Sequence, residues 1–374
     1  MRTRRSTKLG FQPPAIGEEE IAAVTETLRS GWLTTGPRAA LLEERTAAYF
    51  GAKHVLAVAS GTAAMHMALL ALDVGPGDEV ITTPITWPAT ANVIEHCGAR
   101  PVFCDIRADD LNIDSALVQA LVTERTKVIL PVDLAGQPCD LDPLLALGIP
   151  VVEDAAHAFE SVYRDRKVGA ISDATCFSLY ATKNIAAGEG GLVATSRDDI
   201  ADRIRAMRLT RRGDGSRYDQ TTSGFKANLS DVLAAIALVQ LDRLEEHALI
   251  RERQFALYDE GLADLDGIEP LARDSRDGHA RHLYIVRIDP AGAGGTRDEY
   301  QRAFGEELIA TSIHFLPVHR LTWFRERYPE QPPLPVAERA GEEVLSLPLS
   351  PAHTDDDITD AIDAVRRVHA RLTA

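Results

Sequence analysis

Four stretches of the chain join residue types to spacings that suit chemistry as well as structure. In LYATKNIAAGEGG, residues 179–191, a single lysine, Lys183, sits among small and apolar residues that end in a glycine-rich turn. An amine in such surroundings is desolvated, and burial favours its neutral, nucleophilic form. VVEDAAHA, residues 151–158, ends an apolar run in Glu153-Asp154, which brings a carboxylate to a strand terminus, a costly place unless a cation meets it. ASGTAAMHMALL, residues 59–70, passes from strand to helix through Ser60, Gly61 and Thr62, and the first amides of a helix have no intrahelical partner and attract anions. TTPITWPATAN, residues 82–92, sets Trp87 just after a strand, where its ring can stack on a flat ligand. Each stretch also has an ordinary reading when taken alone: a surface lysine, two solvated acids, a capped turn, a core aromatic. His157, three residues beyond Asp154, reads by itself as structural.

The elements that must position these residues follow from periodicity. The apolar runs HVLAVAS, EVITTP, PVFCDI, KVILPV and PVVEDAA alternate with helical stretches such as TAAMHMALLAL and PATANVIEHCG. This is the βαβ rhythm of a mostly parallel sheet covered by helices on both faces, in which ligands lie beyond the carboxyl ends of strands. ATCFSLY and GGLVAT read as strands flanking Lys183, which places the lysine in the loop between them. Residues 229–265 carry apolar residues at helical spacing over many turns, as two helices or one bent helix, with Ser230 as N-cap. Beyond them HLYIVRID, a helix near 297–309, TSIHFLPV and a terminal helix near 355–372 describe a smaller α+β domain. We therefore expect an N-terminal segment and large domain over residues 1–245 and a small domain over 246–374. LTRRGDGSRYDQTTSG, residues 209–224, is polar and glycine-bearing, a candidate flap.

Composition limits the partners. A chain of 374 residues exceeds what one core usually holds, so two domains with a cleft are expected. The net charge of −16 speaks against nucleic acid or an anionic membrane surface as a general partner, so an anionic ligand needs a local site. The four cysteines form no CxxC pair and lie at no metal-ligand spacing, and no metal site is expected. The basic start MRTRRST is followed by no apolar run, and no stretch is long and apolar enough to span a membrane, so a cytoplasmic protein is expected.

Together the four stretches supply what pyridoxal phosphate requires: a lysine for its aldehyde, a carboxylate for its pyridinium nitrogen, an amide cradle for its phosphate and an aromatic face for its ring. The GxxxxGK[ST] pattern of a nucleotide loop is absent, since Lys183 precedes its glycines.

Eight collinear segments resemble the DegT/DnrJ/EryC1/StrS group of sugar aminotransferases. They are SGWLTTGP (30–37), SGTAAMHMAL (60–69), PITWPATAN (84–92), VVEDAAHA (151–158), FSLYATKNIAAGEGG (177–191), GFKANLSDVLAAIALVQL (224–241), TSIHFLPVH (311–319) and LSLPLSP (345–351), and they span nearly the whole chain. The resemblance implies fold type I of the pyridoxal-phosphate enzymes, with the cofactor cycling through pyridoxamine phosphate. It makes Lys183 the lysine that bonds the cofactor, Asp154 the partner of its ring nitrogen and Trp87 the stacking aromatic. Gly61, Thr62 and Ser178 become phosphate contacts, and His157 lies beside the ring hydroxyl. Asn228 matches an asparagine that reaches the phosphate of a neighbouring subunit, which implies a homodimer with shared active sites. Thr35, Arg211, Arg212, His314, Phe315 and His319 are the expected substrate contacts, although a solvated basic loop is an equal reading of the two arginines. Ala186 and Ala187 depart from the group's frequent threonine or cysteine, which removes a hydroxyl contact.

The implied reaction moves an amino group from glutamate to the keto carbon, C4 by the similarity of GFKANLSD and SIHFLPVHR, of a nucleotide-linked keto sugar. A dehydratase of the group would carry histidine in place of Lys183. Two other readings stay open: a cofactor-bound regulator without turnover, and an aminotransferase for 3-keto sugars. An amino-acid aminotransferase would need a late carboxylate-binding arginine, for which Arg339 and Arg366 are candidates.

Overall fold

A computed structural model of the chain describes residues 4–209 and 222–374. Seven strands form its central sheet: β1 (His54–Val58), β2 (Glu79–Thr82), β3 (Arg100–Phe103), β4 (Thr126–Leu130), β5 (Val152–Asp154), β6 (Ala174–Ser178) and β7 (Gly191–Thr195). Backbone pairing orders them β1-β7-β6-β5 and β4-β2-β3, and the bridge between Ile129 and Val151 joins the two groups. Only β7 runs against its neighbours, pairing antiparallel with both β1 and β6. All five runs of the βαβ rhythm and both strands beside Lys183 are therefore present. The central strands are buried on both faces and read as continuous apolar runs for that reason.

Helices, beginning in the chain with α1 (Glu18–Ser30), close both faces. On one side α3 (Gly61–Ala71) packs Met65, Met67, Ala68 and Leu69 against Val58, Val80, Val128 and Val193. On the other α2 (Pro37–Phe50) and the helix Asp231–Asp242 meet Ala57, Phe177, Leu192 and Ala194. The latter helix begins as expected, with Ser230 Oγ accepting the Leu233 amide at 3.3 Å. Its first residue, Asp231, caps a different helix: its carboxylate accepts the amides of Gly36, Arg38 and Ala39 at the start of α2. That long-range cap fixes the approach of residues 34–36 to the sheet edge.

The helical run 229–265 is two helices, which change over at Arg243; the second spans Leu244–Leu262. Its Phe255, Tyr258 and Leu262 belong to a separate apolar cluster with the strands Ile268–Pro270, Tyr284–Ile288 and Val344–Leu347 and the helix Asp355–Leu372. The N-terminal segment joins that cluster, not the large sheet. Leu9 lies in it and pairs with Ile309, and Arg5 binds Asp357 and Asp360 at 2.8 and 2.7 Å. A further cluster, with Ile85, Phe103 and Leu134 on one side and Leu283, Phe315 and Val318 on the other, joins the two halves beyond the carboxyl ends of β2, β3 and β4.

Candidate active site

Beyond the carboxyl ends of β2, β4 and β5 lies a cavity of about 540 Å³, within the range of small-molecule sites. Its floor and one wall come from the large half: Ser60, Gly61, Thr62, Trp87, Thr90, Asp154, His157, Ser178 and Lys183. The facing wall comes from Phe11, Gln12, His282 and Ser312 to Phe315.

Lys183 is held by a tight loop. Its amide donates to the Tyr180 carbonyl at 2.8 Å, and Leu179 closes the loop with Gly190 and Ala187 at 2.9 Å each. Gly190 has φ +149°, and a Cβ on Gly191 would lie 2.4 Å from the Ser60 carbonyl carbon, so glycine is required for the loop to press against the start of α3. Ser178 also packs closely, its Cβ 3.0 Å from where a Gly61 Cβ would stand. The lysine is half-buried, and its open side faces the cavity. Desolvation lowers its pKa to about 8, against the opposing pull of Asp154.

Asp154 ends β5 and is 5% exposed. Its Oδ2 accepts the Thr90 hydroxyl at 2.7 Å and its Oδ1 the Ala156 amide at 3.2 Å. Burial pushes this carboxyl up, while the two hydrogen bonds and the charge of Lys183 hold it down. A cation brought beside it would complete its partners. At the other end of the cavity Ser60 Oγ accepts the Ala63 amide at 3.1 Å, and the amino end of α3 adjoins Gly61, Thr62 and Ser178 in the lining. A half-buried amine, a buried carboxylate, an open helix terminus and an exposed indole on one cavity fit pyridoxal phosphate group by group.

His157 accepts the Ala135 amide on Nδ1 at 3.2 Å and stacks near Phe315, with ring centroids 6.0 Å apart. Trp87, 65% exposed, has its ring 6.3 Å from that of Phe315. His314 Nδ1 meets Ser346 Oγ at 2.8 Å and its ring stacks on Phe11 at 5.6 Å. Burial and Lys183 lower the pKa of His314 to about 3, so its ring is neutral.

Other expected residues lie elsewhere. Asn228 bridges to Val58 at the sheet edge and donates to Thr35 Oγ1, which in turn donates to the Leu229 carbonyl at 2.6 Å, so these two form an edge cluster apart from the cavity lining. His319 is turned away to Glu338 at 3.2 Å and packs near Phe103. Arg211 and Arg212 lie outside the described residues. Arg339 and Arg366 pair with Glu343 and Asp264, away from the cavity. No group of three or more metal-ligating side chains occurs among the described residues, and no described helix is long and apolar enough to cross a membrane.

Sequence reasoning missed Phe11, Gln12, Thr90 and His282. Thr90 lay within a quoted segment and needed only the question of what satisfies Asp154. Phe11, Gln12 and His282 carry no local signal, since their place depends on the N-terminal segment docking on the small half.

The model of the DegT/DnrJ/EryC1/StrS aminotransferase family matches residues 14–366. The chain is 44% identical to the spore coat polysaccharide biosynthesis protein SpsC of Bacillus subtilis (strain 168), with 98% of each covered. Among solved structures it is similar to the putative sugar aminotransferase Spr1654 of Streptococcus pneumoniae, whose PLP-form superposes with a TM-score of 0.90 at 33% identity over 98% of this chain and 99% of that one. A PMP-form of that protein matches as well. DesI, solved in the presence of its TDP-sugar product, matches with a TM-score of 0.89 at 34% identity over 98% of this chain and 94% of that one. The chain belongs to the DegT/DnrJ/EryC1/StrS aminotransferase family, pyridoxal-phosphate-dependent sugar aminotransferases with the fold of type I.

Proposed function

We propose that this enzyme moves an amino group from glutamate to C4 of a nucleotide-linked keto sugar, leaving 2-oxoglutarate and a nucleotide-linked amino sugar. The observation that carries the reading is the half-buried Lys183 amine sharing one cavity with the buried Asp154 carboxylate and the amino end of α3. Pyridoxal phosphate, when bound, supplies an aldehyde that takes up the amino group and a ring that accepts carbanion charge. Lys183 holds the cofactor and serves as acid and base. Its Nζ removes the α-proton of glutamate in the first half-reaction and delivers a proton to C4 of the sugar in the second. A pKa near 8 suits both tasks, because the amine is then available in either protonation state at neutral pH.

Asp154 would keep the ring nitrogen protonated, and Thr90 holds the carboxylate in place. Gly61, Thr62 and Ser178 would hold the phosphate. Trp87 would cover the ring, and His157 would lie beside its hydroxyl. His314 and Phe315 bound the sugar, which the facing wall leaves room to enter. Thr35 and Asn228, at the sheet edge and not in this chain's own cavity lining, suit a role toward a second subunit in a homodimer. The nucleotide linkage is supported by the TDP-sugar with which DesI was solved, and C4 by the likeness of residues 224–231 and 312–320 to enzymes that act there. Arg211 and Arg212 are proposed for the diphosphate, and a cytoplasmic location for the protein.

The test supplies ¹⁵N-glutamate and, separately, nucleotide-linked 4-keto and 3-keto sugars. Label at C4 of a nucleotide sugar is expected. Label at C3 alone, or none with any sugar while borohydride still fixes the cofactor to Lys183, would overturn the C4 reading.

A further inference from the structure

His282 is buried, 2% exposed, and its backbone is pinned on both sides. Its amide donates to the Ala135 carbonyl at 3.0 Å, and its carbonyl accepts Gln12 Nε2 at 3.0 Å. Its ring lies against that of His157, with centroids 4.4 Å apart, and lines the same cavity as Lys183. What faces Nδ1 decides the tautomer. Asn184, the residue after Lys183, donates through Nδ2 to the Ala280 carbonyl at 3.0 Å and to Glu160 Oε2 at 2.5 Å. A backbone carbonyl can only accept, so the amide orientation is settled and Asn184 Oδ1 is the atom 2.9 Å from His282 Nδ1. Oδ1 can only accept, so Nδ1 carries the proton and Nε2 carries the lone pair. Arg251 Nη2 binds Glu160 Oε1 at 2.6 Å and anchors the chain from behind. The neighbouring ring is fixed in the opposite sense: His157 Nδ1 accepts from Ala135, so its Nε2 carries the hydrogen.

We propose that His282 is a positioning residue for Lys183: the Arg251–Glu160–Asn184 chain locks it as the Nδ1–H tautomer, and its Nε2 lone pair accepts a hydrogen bond from the free Lys183 ammonium. The proposal rests on Lys183 being the reacting amine. In each half-reaction the lysine is released and must keep a defined direction while it handles a proton. A neutral acceptor supplies that direction without adding charge. Asp154, His157, His282 and His314 are the titratable groups around the lysine, and Lys183, His157, His314, Arg251 and His279 those around His282. Burial and the cations Lys183 and Arg251 hold the His282 imidazole well below its ordinary range, so it stays neutral wherever the lysine titrates.

The experiment uses the full-length, cofactor-free protein, so it does not depend on turnover. Long-range ¹H–¹⁵N spectra of histidine-labelled protein between pH 6 and 9 should show His282 neutral and protonated on Nδ1; protonation on Nε2, or a charged ring, would overturn the proposal. The acidity of Lys183 is then read from ¹³C-methylated protein. His282→Phe should make the ammonium about tenfold more acidic, and His282→Gln, whose Oε1 replaces the lone pair, should restore most of that change. An unchanged acidity in folded His282→Phe would also overturn it. Should His282→Phe fail to fold, the tautomer result and His282→Gln still decide the matter. A cofactor that borohydride does not fix to Lys183 would strike the proposed function and leave these results standing.

Discussion

The two walls of the cavity are built differently. The large-half wall takes Asp154 from the last residue of β5, Ser178 from the last residue of β6, and Gly61 and Thr62 from the first turn of α3. Each of these is placed by backbone hydrogen bonds that regular structure must make in any case. The facing wall takes Phe11 and Gln12 from the N-terminal segment, His282 from a connection and residues 312–315 from another, all placed by packing between distant parts of the chain. The first wall has the rigidity that proton transfer needs, while the second consists of parts that can be exchanged to suit a different sugar.

If that division holds, substitutions on the large-half wall should damage both half-reactions and those on the facing wall mainly the sugar half. The largest effect is expected for Lys183→Ala, with a loss of about a thousandfold or more in single-turnover rate with either substrate, and no cofactor fixed by borohydride. Asp154→Asn should lower both half-reactions by about a hundredfold, read from the rate of the absorbance change with the amino donor and, separately, with the sugar. His314→Ala and Phe315→Ala should raise the KM for the keto-sugar substrate about tenfold with the amino-donor half-reaction nearly intact. Equal damage to both halves would break the comparison.

A pH measurement sharpens it further. In the cofactor-free protein Lys183 titrates near 8 instead of its ordinary 10.5. The unfolded chain therefore binds more protons between those values, and this residue's penalty on stability is full below about pH 8 and fades as pH rises toward 10.5. Lys183→Met should stabilise the cofactor-free protein at pH 7 by on the order of 1–2 kcal/mol, with the gain shrinking above pH 8 in denaturant titrations. The smallest effect is expected for Thr90→Val, which removes the 2.7 Å bond to Asp154 and should slow both half-reactions by about three- to tenfold.

The same contrast explains what could be read in advance. The strands ending at Asp154 and Ser178 and the helix opening at Gly61 announce themselves by apolar runs with a polar or glycine residue at the boundary, and Lys183 by the apolar company it keeps. The long helical run could be divided only in the structure, where the change of helix falls at Arg243. Asp231 illustrates how local reading stops short: it looks like the first turn of its own helix, yet its carboxylate caps α2, nearly two hundred positions away in the chain. His319 illustrates the reverse, since it lies in a segment that lines the cavity but turns toward Glu338.

The amino-acid sequence by itself determined the sheet rhythm, the residues that suit pyridoxal phosphate and the family, because these depend on periods of a few residues and on side-chain types at element ends. Only the tertiary structure decided that Phe11, Gln12 and His282 complete the cavity, that Thr90 satisfies Asp154 and that Asn184 sets the tautomer of His282. Those are contacts between residues 64 to about 270 positions apart, and a hydrogen bond's direction across such a distance is fixed by how the whole chain packs, which no local pattern carries.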